Sequence, residues 1–134
     1  QVANHWTHMT ATLDRMVEIS RQEAPLEACW YLGARGGVVT ELYPMTNADR
    51  SPEHFSLLPE EQFAVVRKAR GSGVALAGVG HSHPASPARM SAEDLRLALD
   101  PDTRYVIVSL LTRETRCFRV GAAGEVVEEP VEAV

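Results

Sequence analysis

The residues with the most chemical potential lie in one stretch. It is His81-Ser82-His83-Pro84, continued by Ser91 and Asp94 in the run H-S-H-P-A-S-P-A-R-M-S-A-E-D. The two histidines follow an apolar run, Val74 to Val79, of strand type. In a β-strand residues i and i+2 share a face, so both imidazoles aim at one point. Two imidazoles and the Asp94 carboxylate make a ligand set for one zinc ion per chain, with the fourth position left to water as catalytic zinc requires. A metal so held lowers the pKa of its water toward about 7 and polarises a carbonyl. That chemistry also needs a base for the water's proton and a donor for a developing oxyanion. Ser91 suits the second need, because it starts the helix that carries Asp94, where backbone amides favour negative charge. Glu93 points away on that helix, which leaves Glu23, Glu27 and Glu41 as candidates for the base.

Each of these residues also has a plain structural reading. Ser91-Ala92-Glu93-Asp94 is a helix-capping box, and this is compatible with a site, since a capped helix fixes both side chains. Either histidine alone reads as a hydrogen-bonded structural residue; the pair together with a carboxylate reads as a metal site. Cys29, two residues from Glu27, reads as a small core thiol. His54 reads as a surface histidine in a polar loop, Ser109 as a packing residue of a central strand, and Trp30 as core or groove wall.

The elements that must position these groups follow from periodicity and turn signals. Thr10 to Ala24 is predicted as a helix with Leu13, Met16, Val17 and Ser20 on one face, ended by Pro25. Leu26 to Gly33 and Val38 to Tyr43 form a hairpin through Arg35-Gly36-Gly37. Pro44 to Pro59 is a polar loop. Glu60 to Arg70 is a helix with Phe63, Val66 and Val65 inward, stopped by Gly71-Ser72-Gly73. Val74 to Gly80 is small and apolar, suiting a central strand with close neighbours. Ser91 to about Leu99 is a third helix, and Arg104 to Leu111 is strongly β-type. Thr115 to Val120 and Glu125 to Val131 are two further strands. The sum is an α+β arrangement, a mixed sheet of five to six strands flanked by about three helices.

Composition narrows the function classes. At 134 residues the chain is one domain able to bury a core. Thirteen basic against 18 acidic residues leave a net charge of -5, no footprint for nucleic acid or an anionic membrane. No apolar run has the length of a membrane span, and no signal peptide shows. Two cysteines, Cys29 and Cys117, are too few for a disulfide scaffold. These features point to a cytoplasmic protein; they do not choose between a monomer and a homodimer. Residues 1–9 are expected to be a tag remnant or a disordered N-terminus, with His8-Met9 as a junction, and 10–134 to be the single folded domain.

The pattern H-x-H-P followed by S-x-x-D resembles the JAMM motif of the MPN-plus zinc metallopeptidases, which hydrolyse amide or isopeptide bonds at the C-terminus of ubiquitin-like proteins. The resemblance implies the MPN/JAMM, cytidine-deaminase-like architecture, with His81, His83 and Asp94 as metal ligands and Ser91 as oxyanion donor. It places the base at Glu27, within Pro25-Leu26-Glu27-Ala28-Cys29. The stretches Asn47…Ser51-Pro52…Phe55, Val106 to Leu110 and Phe118-Arg119-Val120 are similar to the family's short bacterial branch, the CysO-cysteine-peptidase-like (Mec-like) enzymes. That branch implies cleavage after the C-terminal glycine of a ThiS/MoaD-like sulfur carrier, releasing cysteine or a short peptide. Other readings are an isopeptidase acting on another ubiquitin-like protein and a non-catalytic MPN-type interaction domain. Trp30 and Met90 depart from the family's usual glycine and proline, which puts a large ring near the presumed base and loosens the turn into the third helix. A nucleobase deaminase would need H-x-E with P-C-x-x-C, and neither is present.

Overall fold

The structure, a computed structural model, describes residues 6–134. In chain order the elements are β1 (Thr7–His8), α1 (Thr10–Glu23), β2 (Cys29–Arg35), β3 (Val38–Met45), α2 (Pro59–Gly71) and β4 (Ala75–His83). They are followed by α3 (Ala92–Leu97), β5 (Arg104–Ser109), β6 (Glu114–Val120), β7 (Val126–Glu129) and β8 (Glu132–Ala133). The strands form one mixed sheet in the order β7-β6-β5-β4-β2-β3-β1-β8. β4 is central, antiparallel to β2 and parallel to β5. The architecture is the α+β one implied by the sequence, with two two-residue strands that no sequence pattern announced.

The sheet is curled. Only Pro130 and Val131 separate β7 from β8, although these strands end the strand order on opposite sides. Eight flat strands at about 4.8 Å spacing would span roughly 34 Å, and a chain reaches at most about 3.6 Å per residue. The two ends of the sheet must therefore approach one another. Arg104 marks the closure: its guanidinium lies 4.4 Å over the Trp6 ring, and its Nε donates to Glu129 Oε1 at 2.7 Å.

The main core fills the face covered by α1. Met16 and Ile19 of the helix meet Trp30, Leu32, Ala34, Val106 and Val108. β4 is glycine-rich where the two indoles need room. A Cβ on Gly78 would stand 3.2 Å from the Trp6 ring, and one on Gly80 would fall 1.9 Å from Trp30 Nε1. The small residues of the histidine strand thus let two tryptophans press directly on its backbone, which stiffens the strand from behind.

Two expectations are corrected. Trp6 is 5% exposed, and Thr7–His8 pairs in parallel with β3 and β8, so residues 6–9 are part of the fold and not a loose end. The rest of that expectation, residues 1–5, lies outside the described residues. On α2 the inward residues are Ala69 and Val65, while Phe63 and Val66 are exposed. A small residue at position 69 lets the helix lie close to Tyr43 and Val74, and the i, i+4 pair with Val65 sets the buried stripe. Apolar character alone pointed to the wrong side.

Gly80→Ala is expected to destabilise the protein by about 1–3 kcal/mol, the cost of overpacking a filled core. Thermal unfolding should show a lower midpoint; an unchanged one would mean that the Trp30 indole moves aside freely.

Candidate active site

β4 runs through His83, so both histidines stand in the ladder and not beyond it. His81 pairs with Cys29 on one side and Ile107 on the other, and His83 pairs with Ser109. Their rings project from the face opposite the tryptophans. Both are buried, at 2% and 4% exposed. Asp94 reaches them from α3. That helix is six residues long and is held by a reciprocal capping box. Asp94 N–H donates to Ser91 Oγ at 3.0 Å, and Ser91 N–H donates to Asp94 Oδ2 at 2.9 Å. Met90 anchors the entry to the helix by packing against the cluster of Ala88, Ile107 and Phe118. Packing thus fixes the turn without a proline.

Three electron-pair donors converge. His81 Nε2 is 3.1 Å from His83 Nε2 and 3.2 Å from Asp94 Oδ2, and His83 Nε2 is 3.1 Å from the same oxygen. Among the described residues these three form the group whose ligand atoms all lie within 4.8 Å of one another. Ligand atoms about 2.0–2.1 Å from a tetrahedral zinc ion stand roughly 3.3 Å apart, so the spacing fits a small cation. The tautomer fits as well. His83 Nδ1 lies 2.9 Å from the Pro87 carbonyl, which takes the ring's N–H and leaves Nε2 as a lone pair toward the centre. Ser109 Oγ donates to Ser86 O at 2.6 Å and so fastens the loop that presents Pro87. His81 Nδ1 is buried without a hydrogen-bond partner. Its ring is held by packing, with the Phe55 ring 4.9 Å away.

The electrostatics agree with a cation-seeking cluster. Burial pushes the Asp94 carboxyl up, but hydrogen bonds from His81 and His83, the charge of His81 and the Ser91 amide outweigh it and hold the group well below the usual carboxylate range. Burial pushes His83 down, yet its bonds to Asp94 and Pro87 leave it above the ordinary histidine value. In the absence of a metal a proton on the imidazole reconciles the crowded acceptors; a metal ion does the same.

Glu27 is brought to this centre, and the alternatives are not. It is 3% exposed, with Oε1 buried and unpartnered. Burial first, opposed by His83 and reinforced by Asp94 and Glu53, raises its carboxyl from 4.5 to about 8. Glu23 is exposed at the end of α1, and Glu41 pairs across from Gly33 within the hairpin. β2 begins at Cys29, later than the sequence suggested, because the backbone of Glu27 bonds to a loop instead of a ladder. Ser82, the residue between the two histidines, ties this segment down. Ala28 N–H donates to Ser82 Oγ at 2.8 Å, and Ser82 N–H donates to Ala28 O at 3.0 Å. Sequence reading missed Ser82 and Pro87, since a serine in a strand and a loop carbonyl carry no signal of their own.

The remaining candidates take their plain roles. Burial raises the Cys29 thiol to about 12, so it stays protonated beside Met45 O. His54 is paired with Asp49 at 2.8 Å and half exposed. Trp30 is fully buried on the α1 face of the sheet, in the core with Met16 and Ile19. Beside the cluster a groove of about 430 Å³ passes from His81 and Asp94 along Phe55, Leu57, Leu97 and Leu99.

Comparison with known proteins gives a consistent set of likenesses. The family described as prokaryotic homologs of the JAB domain matches residues 9–121. The CysO-cysteine peptidase of Mycobacterium tuberculosis is 39% identical over 127 residues, covering 91% of this chain and 86% of the relative. A solution structure of a protein from Desulfitobacterium hafniense is 41% identical with a TM-score of 0.85, covering 96% of this chain and 92% of that one. A structure described as a JAMM metalloprotease-like zinc site in the proteasome and signalosome shares the fold. It is 22% identical with a TM-score of 0.64, covering 98% and 99% of the two chains.

The raised carboxyl gives a pH signature in metal-free protein. A folded-state value of about 8 against 4.5 means that the stability from neutral Glu27 is fully present below about 4.5 and is lost as pH rises through about 8. Glu27→Gln removes that loss. With a chelator present, its unfolding midpoint relative to wild type should rise between acid and alkaline pH; a pH-independent difference would contradict the environment described for Glu27.

Proposed function

The chain belongs to the family of prokaryotic homologs of the JAB domain, and on that premise we propose a zinc-dependent peptidase acting on a ubiquitin-like sulfur-carrier protein. It hydrolyses the amide bond after the carrier's C-terminal glycine and releases cysteine or a short peptide. The observation that carries the reading is the convergence of His81, His83 and Asp94 beside the buried, unpartnered carboxyl of Glu27. The likeness to the mycobacterial CysO-cysteine peptidase supports the substrate class. Among the described residues no helix is long and apolar enough to cross a membrane, which is compatible with action in the cytoplasm.

Zinc held by His81, His83 and Asp94 would supply an acidified water and polarise the scissile carbonyl. The chain's own groups do the rest. Glu27 takes the proton from the attacking water and returns it to the leaving amine. Its raised proton affinity suits that exchange. Ser91 spends a lone pair on the Asp94 amide, so its O–H remains free to donate to the oxyanion of the tetrahedral intermediate. The groove along Phe55, Leu57 and Leu97 takes an extended, glycine-ended tail.

A carrier–cysteine adduct incubated with the enzyme should give two products by mass, the carrier ending in glycine and free cysteine. Purified protein should hold one zinc per chain, lost with His81→Ala or Asp94→Ala. Glu27→Gln should keep the zinc and lose cleavage by at least about 10²-fold, the scale of a positioned acid–base group. Cleavage by Glu27→Gln at the wild-type rate would remove Glu27 from the role of base.

A further inference from the structure

The position of the Glu27 carboxyl is set by its backbone, and that backbone is gripped on both sides. On the Ala28 side the grip is Ser82. On the other side it is the connection 46–58. Glu27 N–H donates to Ser51 O at 2.9 Å, and Glu27 O accepts from Asn47 Nδ2 at 3.1 Å. The same amide nitrogen reaches Ser51 O at 3.3 Å and His54 O at 3.1 Å. Asn47 Oδ1 in turn accepts the Asp49 N–H at 3.0 Å. The side chain is 6% exposed.

One buried primary amide therefore holds the carbonyl of Glu27 and also the carbonyl that receives the N–H of Glu27. Asparagine is suited to this: it offers two donors toward carbonyl oxygens and one acceptor toward an amide on the other side. Aspartate has nearly the same shape but would present oxygen to three carbonyls. Asn47 itself makes no hydrogen bond to His81, His83 or Asp94.

We propose that Asn47 is a positioning residue for the Glu27 carboxyl, an inference that rests on Glu27 acting as the base. Misplacing a catalytic group by about 1 Å costs on the order of 10²-fold, so loss of the Asn47 donors should be felt in turnover before it is felt in binding. A residue that acts through another is recognised by non-additivity.

The test places Asn47→Asp in the wild-type and Glu27→Gln backgrounds, with zinc affinity measured by chelator competition and the spectrum of cobalt-substituted protein recorded for each. Expected in the wild-type background is a fall in kcat of at least about 10-fold with little change in KM. Zinc affinity should stay within about threefold and the cobalt spectrum should be unchanged, since no ligand is touched. In the Glu27→Gln background Asn47→Asp should cause no further loss. An unchanged kcat in the wild-type background overturns the proposal, and so does an equal loss in both backgrounds. Asn47→Ser serves where the aspartate variant does not fold, and failure of both to fold makes Asn47 a stability residue only, overturning the proposal. Glu27→Gln at the wild-type rate is a different failure, that of the base itself, and is seen without any change at Asn47.

Discussion

Three acceptor atoms stand within 3.2 Å of one another at the front of β4, and this crowding is the constraint on which the site depends. Lone pairs so close repel unless a positive charge lies among them, so the surrounding structure must hold them there. It does so by three separate means. The two histidines are fixed by a strand whose glycines admit tryptophan rings directly against its back. Asp94 is fixed by a capping box that uses its own side chain and backbone. The His83 ring is fixed by a carbonyl from a loop that Ser109 fastens in place. None of these supports draws its energy from a metal, which is what a preorganised site requires.

The same neighbourhood pulls two carboxyls in opposite directions. Asp94 faces imidazoles and an amide and is held ionised. Glu27 is more fully buried and has no hydrogen-bond partner at Oε1, and burial raises it. The difference lies in the hydrogen bonds that Asp94 accepts and Glu27 Oε1 does not. Pairs of titratable groups driven apart in this way divide the labour of a hydrolytic site, one keeping charge and the other exchanging protons. Curling of the sheet, sealed by Arg104 between Trp6 and Glu129, secures the strand that makes this possible, because Trp6 also covers Gly78 on β4.

The convergence of His81, His83 and Asp94 was legible because these residues are close in sequence and their spacing encodes geometry: i, i+2 in a strand for His81 and His83, and a capped first turn for Ser91 and Asp94. The helices α1 and α3 and the strands β2 to β6 were legible for similar local reasons, namely periodicity, proline and glycine stops, and β-branched runs. The inward face of α2 was misread, since Phe63 and Val66 are more apolar than Ala69, yet what that contact needs is smallness. The N-terminal residues were misread because β1 is two residues long and owes its existence to neighbours far along the chain.

By itself, then, the sequence determined the mixed α+β class and the spacing that lets His81, His83 and Asp94 converge, a spacing that rests on contacts within a turn or along one strand. Glu27 came only through likeness to a family, with Glu23 and Glu41 equally open to residue-level reading. The tertiary structure gave the three different surroundings. It buried Glu27 beside His83 and Asp94, and it recruited Asn47 and Ser82 to hold the backbone of the segment. It also moved Trp30 to the far side of the sheet. The physical reason is that burial and hydrogen-bond partnership across twenty or fifty-four residues of chain depend on which strands become neighbours. Local periodicity does not carry that information.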